Sequence, residues 1–207
     1  MEGLGNNQRS KFIGIANGKV TYRPSKDAER QEFDYVEGHI QKITKREATI
    51  NGEKVPFYDI LIKTTNDSFV LSVPAENGIS RSIINSLMSI QDFAGKVVRI
   101  NPYVKTVGES VYTNVAVRVN GEKVDWAKAD MPKPKQVRVG SKVLNDYSEI
   151  DEIIEGFVAE INTRLAAANG GNDGSPVVDY EPDNDPRYAP EPGDDLPAGD
   201  AFLNNGK

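Results

Sequence analysis

The chain has 207 residues, 38% of them hydrophobic and 27% charged, with one histidine and no cysteine. Disulfides, thiolate metal sites and cysteine nucleophiles are therefore excluded, and with no apolar run long enough to cross a bilayer a transmembrane protein is not expected. The net charge of −6 hides an asymmetry: residues 1–147 carry 22 basic and 17 acidic side chains, while residues 169–207 carry two and nine. A basic body followed by an acidic tail points towards a polyanionic partner. The N-terminal stretch MEGLGNNQRSKF has no hydrophobic core of the kind a secretory signal needs, so a cytoplasmic location is expected.

Taken in chain order, KFIGIA and KVTYR flank Asn17-Gly18 and read as a hairpin that extends a sheet. Strands are expected at 35–50, 55–64, 68–73, 97–105 and 111–119. Asn-Gly recurs at 51–52 and 120–121, and this dipeptide tolerates the positive φ angles of tight hairpin turns. The first of the five strands is unusually long and contains Gly38, which suggests a bend that lets one strand serve two sheets. A single helix-like segment, GISRSIINSLMSI, falls between the third and fourth strands, with Ile79, Ile83, Ile84, Leu87 and Met88 as its buried side.

Three strands, a short helix and two strands is the order of an OB-fold, a five-stranded antiparallel barrel. Phe57 and Phe69 share strand faces with Leu61 and Leu71 and are assigned to its core. Next, MPKPKQVRV contributes Lys133, Lys135 and Arg138 with no acid. An amphipathic helix is expected over 148–168, where Ile150, Ile153, Ile154, Phe157, Val158, Ile161 and Leu165 form one stripe. Ser148 with Asp151 resembles a capping box, and Gly170 supplies a stop. The stripe is expected to pack on the neighbouring domain, with a dimer contact as the alternative. Residues 169–207 hold six of the twelve prolines and little that is apolar, and are expected to be disordered. The organisation expected is thus an N-terminal extension (1–33), an OB-like domain (34–147), the helix (148–168) and the tail.

No catalytic constellation emerges. His39 stands alone on the first strand, and a zinc site built from carboxylates would suit that metal poorly. There is no phosphate loop, dinucleotide fingerprint or nucleophile elbow. Neither an enzyme nor a bound cofactor or metal is expected. Strand alternation offers something else. Arg99, Asn101, Tyr103 and Lys105 point one way on the fourth strand, and Tyr112, Asn114 and Arg118 do so on the fifth. Cations can follow phosphates while flat rings stack on bases whatever the sequence, which is what single-stranded nucleic acid requires. The first two strands add Tyr35, His39, Lys42, Lys45, Arg46, Lys54 and Lys63. Trp126 either caps the barrel or stacks a base.

This combination of strand order, basic and aromatic strand residues and a proline-rich acidic tail resembles the single-stranded DNA-binding proteins, most closely the compact kind encoded by bacteriophages. The resemblance covers the whole chain loosely. It implies an OB-fold that coats single-stranded DNA in replication and recombination, acting in the host cytoplasm. It also implies a tail that competes for the basic groove and docks replication or recombination proteins. Asp194, Asp195, Leu196 and Pro197 are similar to the acidic terminus of the bacterial members. Ala198 stands where those have phenylalanine, and Phe202 with Leu203 is the next apolar pair. A tail of net charge −7 tethered to a body of +5 has a high local concentration and would occupy the groove weakly until DNA displaced it. The alternative reading is a protein-interaction or virion-associated module with an OB-like barrel.

Overall fold

The computed structural model describes residues 10–169 apart from Lys26, Gly140 and Ser141, and it is mostly β with two helices. Gly170 and the tail residues Asp194, Asp195, Leu196, Pro197 and Phe202 lie outside the described residues. Strands β1 (Lys11–Ala16), β2 (Lys19–Tyr22) and β3 (Gln31–Phe33) form one flank of the main sheet. Strands β4 (Val36–Ile50), β5 (Glu53–Lys63) and β6 (Ser68–Pro74) form a central meander, and β7 (Val98–Val107), β8 (Ser110–Val119) and β9 (Glu122–Lys123) form the other flank. Their order is β3-β2-β1-β6-β5-β4-β7-β8-β9.

The three Asn-Gly turns close the β1–β2, β4–β5 and β8–β9 hairpins. Asn17, Asn51 and Asn120 have φ of +50°, +52° and +50°, and the glycines that follow have +72°, +85° and +90°. Two successive positive φ angles make the turn whose twist matches that of the strands it joins. A fourth tight turn, at Gly108-Glu109, joins β7 to β8 with Gly108 at φ +61°. Strand β4 serves two neighbours, as its glycine suggests. Residues 36–38 pair with β7 and residues 39–50 with β5, with a register shift between Ile40 and Lys42. At Gly38 a Cβ would lie 2.7 Å from the Lys63 carbonyl oxygen, so only a bare backbone passes there.

The sheet is open and does not close into the expected five-stranded barrel. Among the described residues β6 pairs in parallel with β1 rather than with β8. The β1–β2 hairpin takes that edge and reaches the far flank, where the Gly18 amide donates to Thr113 Oγ1 at 3.1 Å. A side-chain contact thus stands where main-chain closure was expected.

Helix α1 (Gly78–Met88) starts at Asn77, whose side chain accepts from the Ser80 amide at 3.0 Å. Ile79, Ile83, Ile84 and Leu87 are buried as expected, but so are Ser80, Arg81, Ser82, Asn85 and Ser86. The helix is enclosed on its polar side as well. Asn85 holds residues 127 and 128 through its own carbonyl and both side-chain amide atoms. Helix α2 (Ser148–Ala168) covers the same region, and Ile150, Ile154, Ile161 and Leu165 join the core at 0–2% exposure. The stripe is therefore used within the chain. Burying each such side chain stabilises the fold by about 1.5–3 kcal/mol.

The expected capping box at Ser148 does not form. The α2 N-cap is Tyr147 without a side-chain cap bond, and Ser148 donates to Asp146 instead. Asp151 is taken by Arg81, which is 1% exposed, through bonds of 2.8 and 3.2 Å. A buried guanidinium has far more to gain from a carboxylate than an amide at a solvated helix start has. The Arg81 guanidinium also lies 4.4 Å from the centre of the Tyr147 ring. Strands β10 (Lys135–Val139) and β11 (Lys142–Asp146) form a separate ribbon in a stretch for which no strand was expected. Phe69 packs against the core, whereas Phe57 is buried apart from the main cluster, with the Arg46 guanidinium 4.9 Å from its ring centre.

Candidate nucleic-acid interface

The register of the sheet determines which side chains share its outer face, because directly paired residues of neighbouring strands point the same way. Val98, Ile100 and Pro102 of β7 are buried with Val115 and Val117 of β8, so the alternate residues face outward. Outward pairs are Arg99 with Arg118, Asn101 with Ala116, Tyr103 with Asn114 and Lys105 with Tyr112. The register runs unbroken past Pro102, so the alternation does not slip there. Tyr103 and Tyr112 lie on diagonal positions, close enough for two rings to form one surface. Tyr103 is 45% exposed, and Val104, Val107 and Val111 extend an open hairpin end beyond it.

Strand β4 continues the same face. Glu37 pairs with Arg99 and His39 with Lys63 of β5, while Val36, Gly38 and Ile40 turn inward. After the bulge Lys42 pairs with Leu61 and is exposed, whereas Ile43 is buried. Lys42 and Lys63 have no ion-pair partner among the described residues. His39 Nδ1 lies 2.9 Å from the Lys96 carbonyl oxygen. That oxygen can only accept, so Nδ1 donates in this contact. Tyr35 is 45% exposed, and the Arg99 guanidinium stands 4.1 Å from its ring centre. Arg99 Nε also donates to Glu37, and this bond is the main reason its pKa is raised further.

Ten of the residues expected to contact nucleic acid thus lie along one run of the sheet, with Tyr35 just before β4 and the others on its strands: Tyr35, His39, Lys42, Lys63, Arg99, Tyr103, Lys105, Tyr112, Asn114 and Arg118. Trp126 is not among them. It is half-buried in a segment bonded to α1, where Ser89 Oγ donates to the Asp125 carbonyl and the Ala127 amide donates to Asn85. Three other cations are engaged elsewhere. Arg46 donates to Asp59 at 2.6 Å and to Ser72 at 2.9 Å, Lys45 pairs with Glu155 of α2, and Lys54 pairs with Glu47. Lys135 of the ribbon pairs with Glu149, which raises its pKa.

Sequence reasoning missed one pairing on the face and one of its members. Glu37 was legible as outward-facing, but its partner Arg99 lies 62 residues away. Lys123 comes beside Arg118 only through the short strand β9. The arrangement offers flat rings, exposed ammonium groups and guanidinium groups along one surface, which is chemistry for stacking and phosphate contact. Comparison with family models, with curated proteins and with solved structures finds no match for this chain.

Proposed function

We propose that this chain is a non-enzymatic, sequence-tolerant single-stranded DNA-binding protein. The observation that carries the reading is the shared outward face of β4, β5, β7 and β8, on which tyrosines alternate with Arg99, Arg118, Lys105, Lys63 and Lys42. Phosphates follow the cations, bases stack on Tyr35, Tyr103 and Tyr112, and Asn114 supplies a neutral polar contact. In this reading β4 to β8 with α1 correspond to the strands and helix of an OB-like unit, and β1–β2 substitutes for the closing pair. The acidic tail competes for the face and recruits replication or recombination proteins, as the resemblance to phage proteins implies.

The test is fluorescence anisotropy of a labelled oligo-dT at low and moderate salt. The full chain should bind with submicromolar affinity, and log K should fall linearly with log salt. Replacing Tyr103 and Tyr112 with Ala, and Arg99 and Arg118 with Gln, should abolish binding without unfolding the sheet. A chain ending at Ala168 should bind more tightly than the full chain. No binding at low salt would leave the face to a protein partner and sink the DNA-binding reading.

A further inference from the structure

One row of side chains crosses four strands. Glu37 of β4 pairs with Arg99 of β7, Arg99 pairs with Arg118 of β8, and Arg118 pairs with Lys123 of β9. Direct cross-strand partners share a face, so three cations and one carboxylate stand side by side. Two arginines placed opposite each other repel, and such a pair is tolerated best where an anion visits. Arg118 uses Nη1 on the Gly121 carbonyl at 3.2 Å, which leaves donors of its fork available. Among the described residues Lys123 makes only a loose contact with Asp125, at 3.9 Å between two exposed groups, and such contacts contribute little.

Glu37 is therefore the anion that the row holds when nothing else is bound. Its carboxylate accepts from Arg99 Nε while the guanidinium lies over the Tyr35 ring. Both side chains of the pair are 36% exposed, so an incoming anion can reach them from solvent. Resting on the reading of this face as a nucleic-acid interface, we propose that Glu37 is a built-in competitor for a backbone phosphate. The Arg99–Arg118–Lys123 row is that phosphate's subsite. When a strand binds, a phosphate takes the place of the carboxylate on Arg99, and the guanidinium stays stacked on Tyr35. Glu37 thereby sets the threshold of affinity and discriminates against weakly charged ligands.

The test is oligo-dT binding across a salt series with the full chain and with Glu37→Gln, Lys123→Gln, Arg99→Gln and the Arg99→Gln/Glu37→Gln pair. Thermal melts would check that each variant is folded. Glu37→Gln should tighten binding at low salt on the order of threefold, the scale of an exposed ion pair. It should also steepen the log K against log salt slope by up to about 0.7, because no displaced carboxylate then takes up a cation to offset the one the phosphate releases. Lys123→Gln should weaken binding and flatten the slope by about the same amount. In the Arg99→Gln background the gain from Glu37→Gln should vanish, because the competitor has nothing left to hold.

If wild type binds with the expected salt dependence but Glu37→Gln binds equally or more weakly, Glu37 aligns Arg99 and the competitor idea fails alone. A gain that survives in the Arg99→Gln background would also overturn it, since a bulk charge effect would then explain the result. If wild type does not bind at all, the functional reading fails and takes this inference with it.

Discussion

Gly18 and Gly52 occupy the same place in the same kind of turn, yet their surroundings differ. At Gly52 nothing lies within 4 Å of where a Cβ would stand, whereas at Gly18 a Cβ would meet Val104 Cγ2 at 2.6 Å and the Val104 amide nitrogen at 2.8 Å. Gly52→Ala therefore carries only the left-handed backbone penalty of about 1–2 kcal/mol. Gly18→Ala adds overlap with another strand's backbone and should destabilise by about 3 kcal/mol or more. Urea midpoints of the two variants will check the ordering. A pH effect also belongs at this scale. Burial pushes the Tyr58 phenol above its ordinary value of 10.0, and the hydrogen bond to Glu155 raises the Lys45 ammonium above 10.5. Both groups favour the protonated form more strongly when the chain is folded. Their contribution is complete below about pH 10 and is lost as pH rises through the raised folded values. Tyr58→Phe should therefore flatten the alkaline limb of a stability-versus-pH curve, and urea titrations between neutral pH and the alkaline range would show it.

Among the elements, α2 is fixed to the sheet by polar contacts as much as by its apolar stripe. Beyond Gly38, β4 no longer pairs with β7, so its outer edge needs another partner. Asn162 supplies one, donating to the Ile43 carbonyl at 2.8 Å and accepting from the Ile43 amide at 2.9 Å. An asparagine side chain is a primary amide and can stand in for the missing strand at one position. Asn162→Ala should destabilise by about 2 kcal/mol and accelerate amide exchange at Ile43. Arg164 plays a similar part at the C-terminal end of α1, donating to the carbonyls of Met88 and Ile90 at 2.7 and 2.9 Å. Asp151→Ala would leave the Arg81 charge buried and unpaired. The expected loss is about 3 kcal/mol, towards the lower end for a buried pair because the Asp151 side chain is 34% exposed. Lys54→Ala, which breaks a fully solvated pair with Glu47, should change the melting midpoint hardly at all.

For the whole molecule, the core does not stop where the sheet ends. Ile154, Ile161 and Leu165 are at most 1% exposed beside Ile43, Ile84 and Leu87. A chain truncated before Ser148 should accordingly lose cooperative unfolding, while one ending at Asn169 should keep it; calorimetry of both will decide. Local chemistry along the chain gave most of the elements, though not the short strands β3 and β9 or the β10–β11 ribbon. Asn-Gly chemistry positioned three turns, alternation gave the five central strands to within two residues of the observed bounds, and helical spacing gave both helices. These are local signals, read from residues that touch along one strand or one turn. The same alternation was enough to put Tyr103, Lys105, Tyr112 and Arg118 on one face. Long-range contacts decide which strand meets which edge and which charge meets which. The parallel β1–β6 pairing that leaves the sheet open depends on segments more than fifty residues apart. So do the pairs Arg81–Asp151 and Arg99–Glu37, which turned an expected helix cap and an expected free phosphate ligand into partners. Ion pairs and edge pairings of this kind are chosen by the burial and register of the finished fold, and no periodicity in the chain records them.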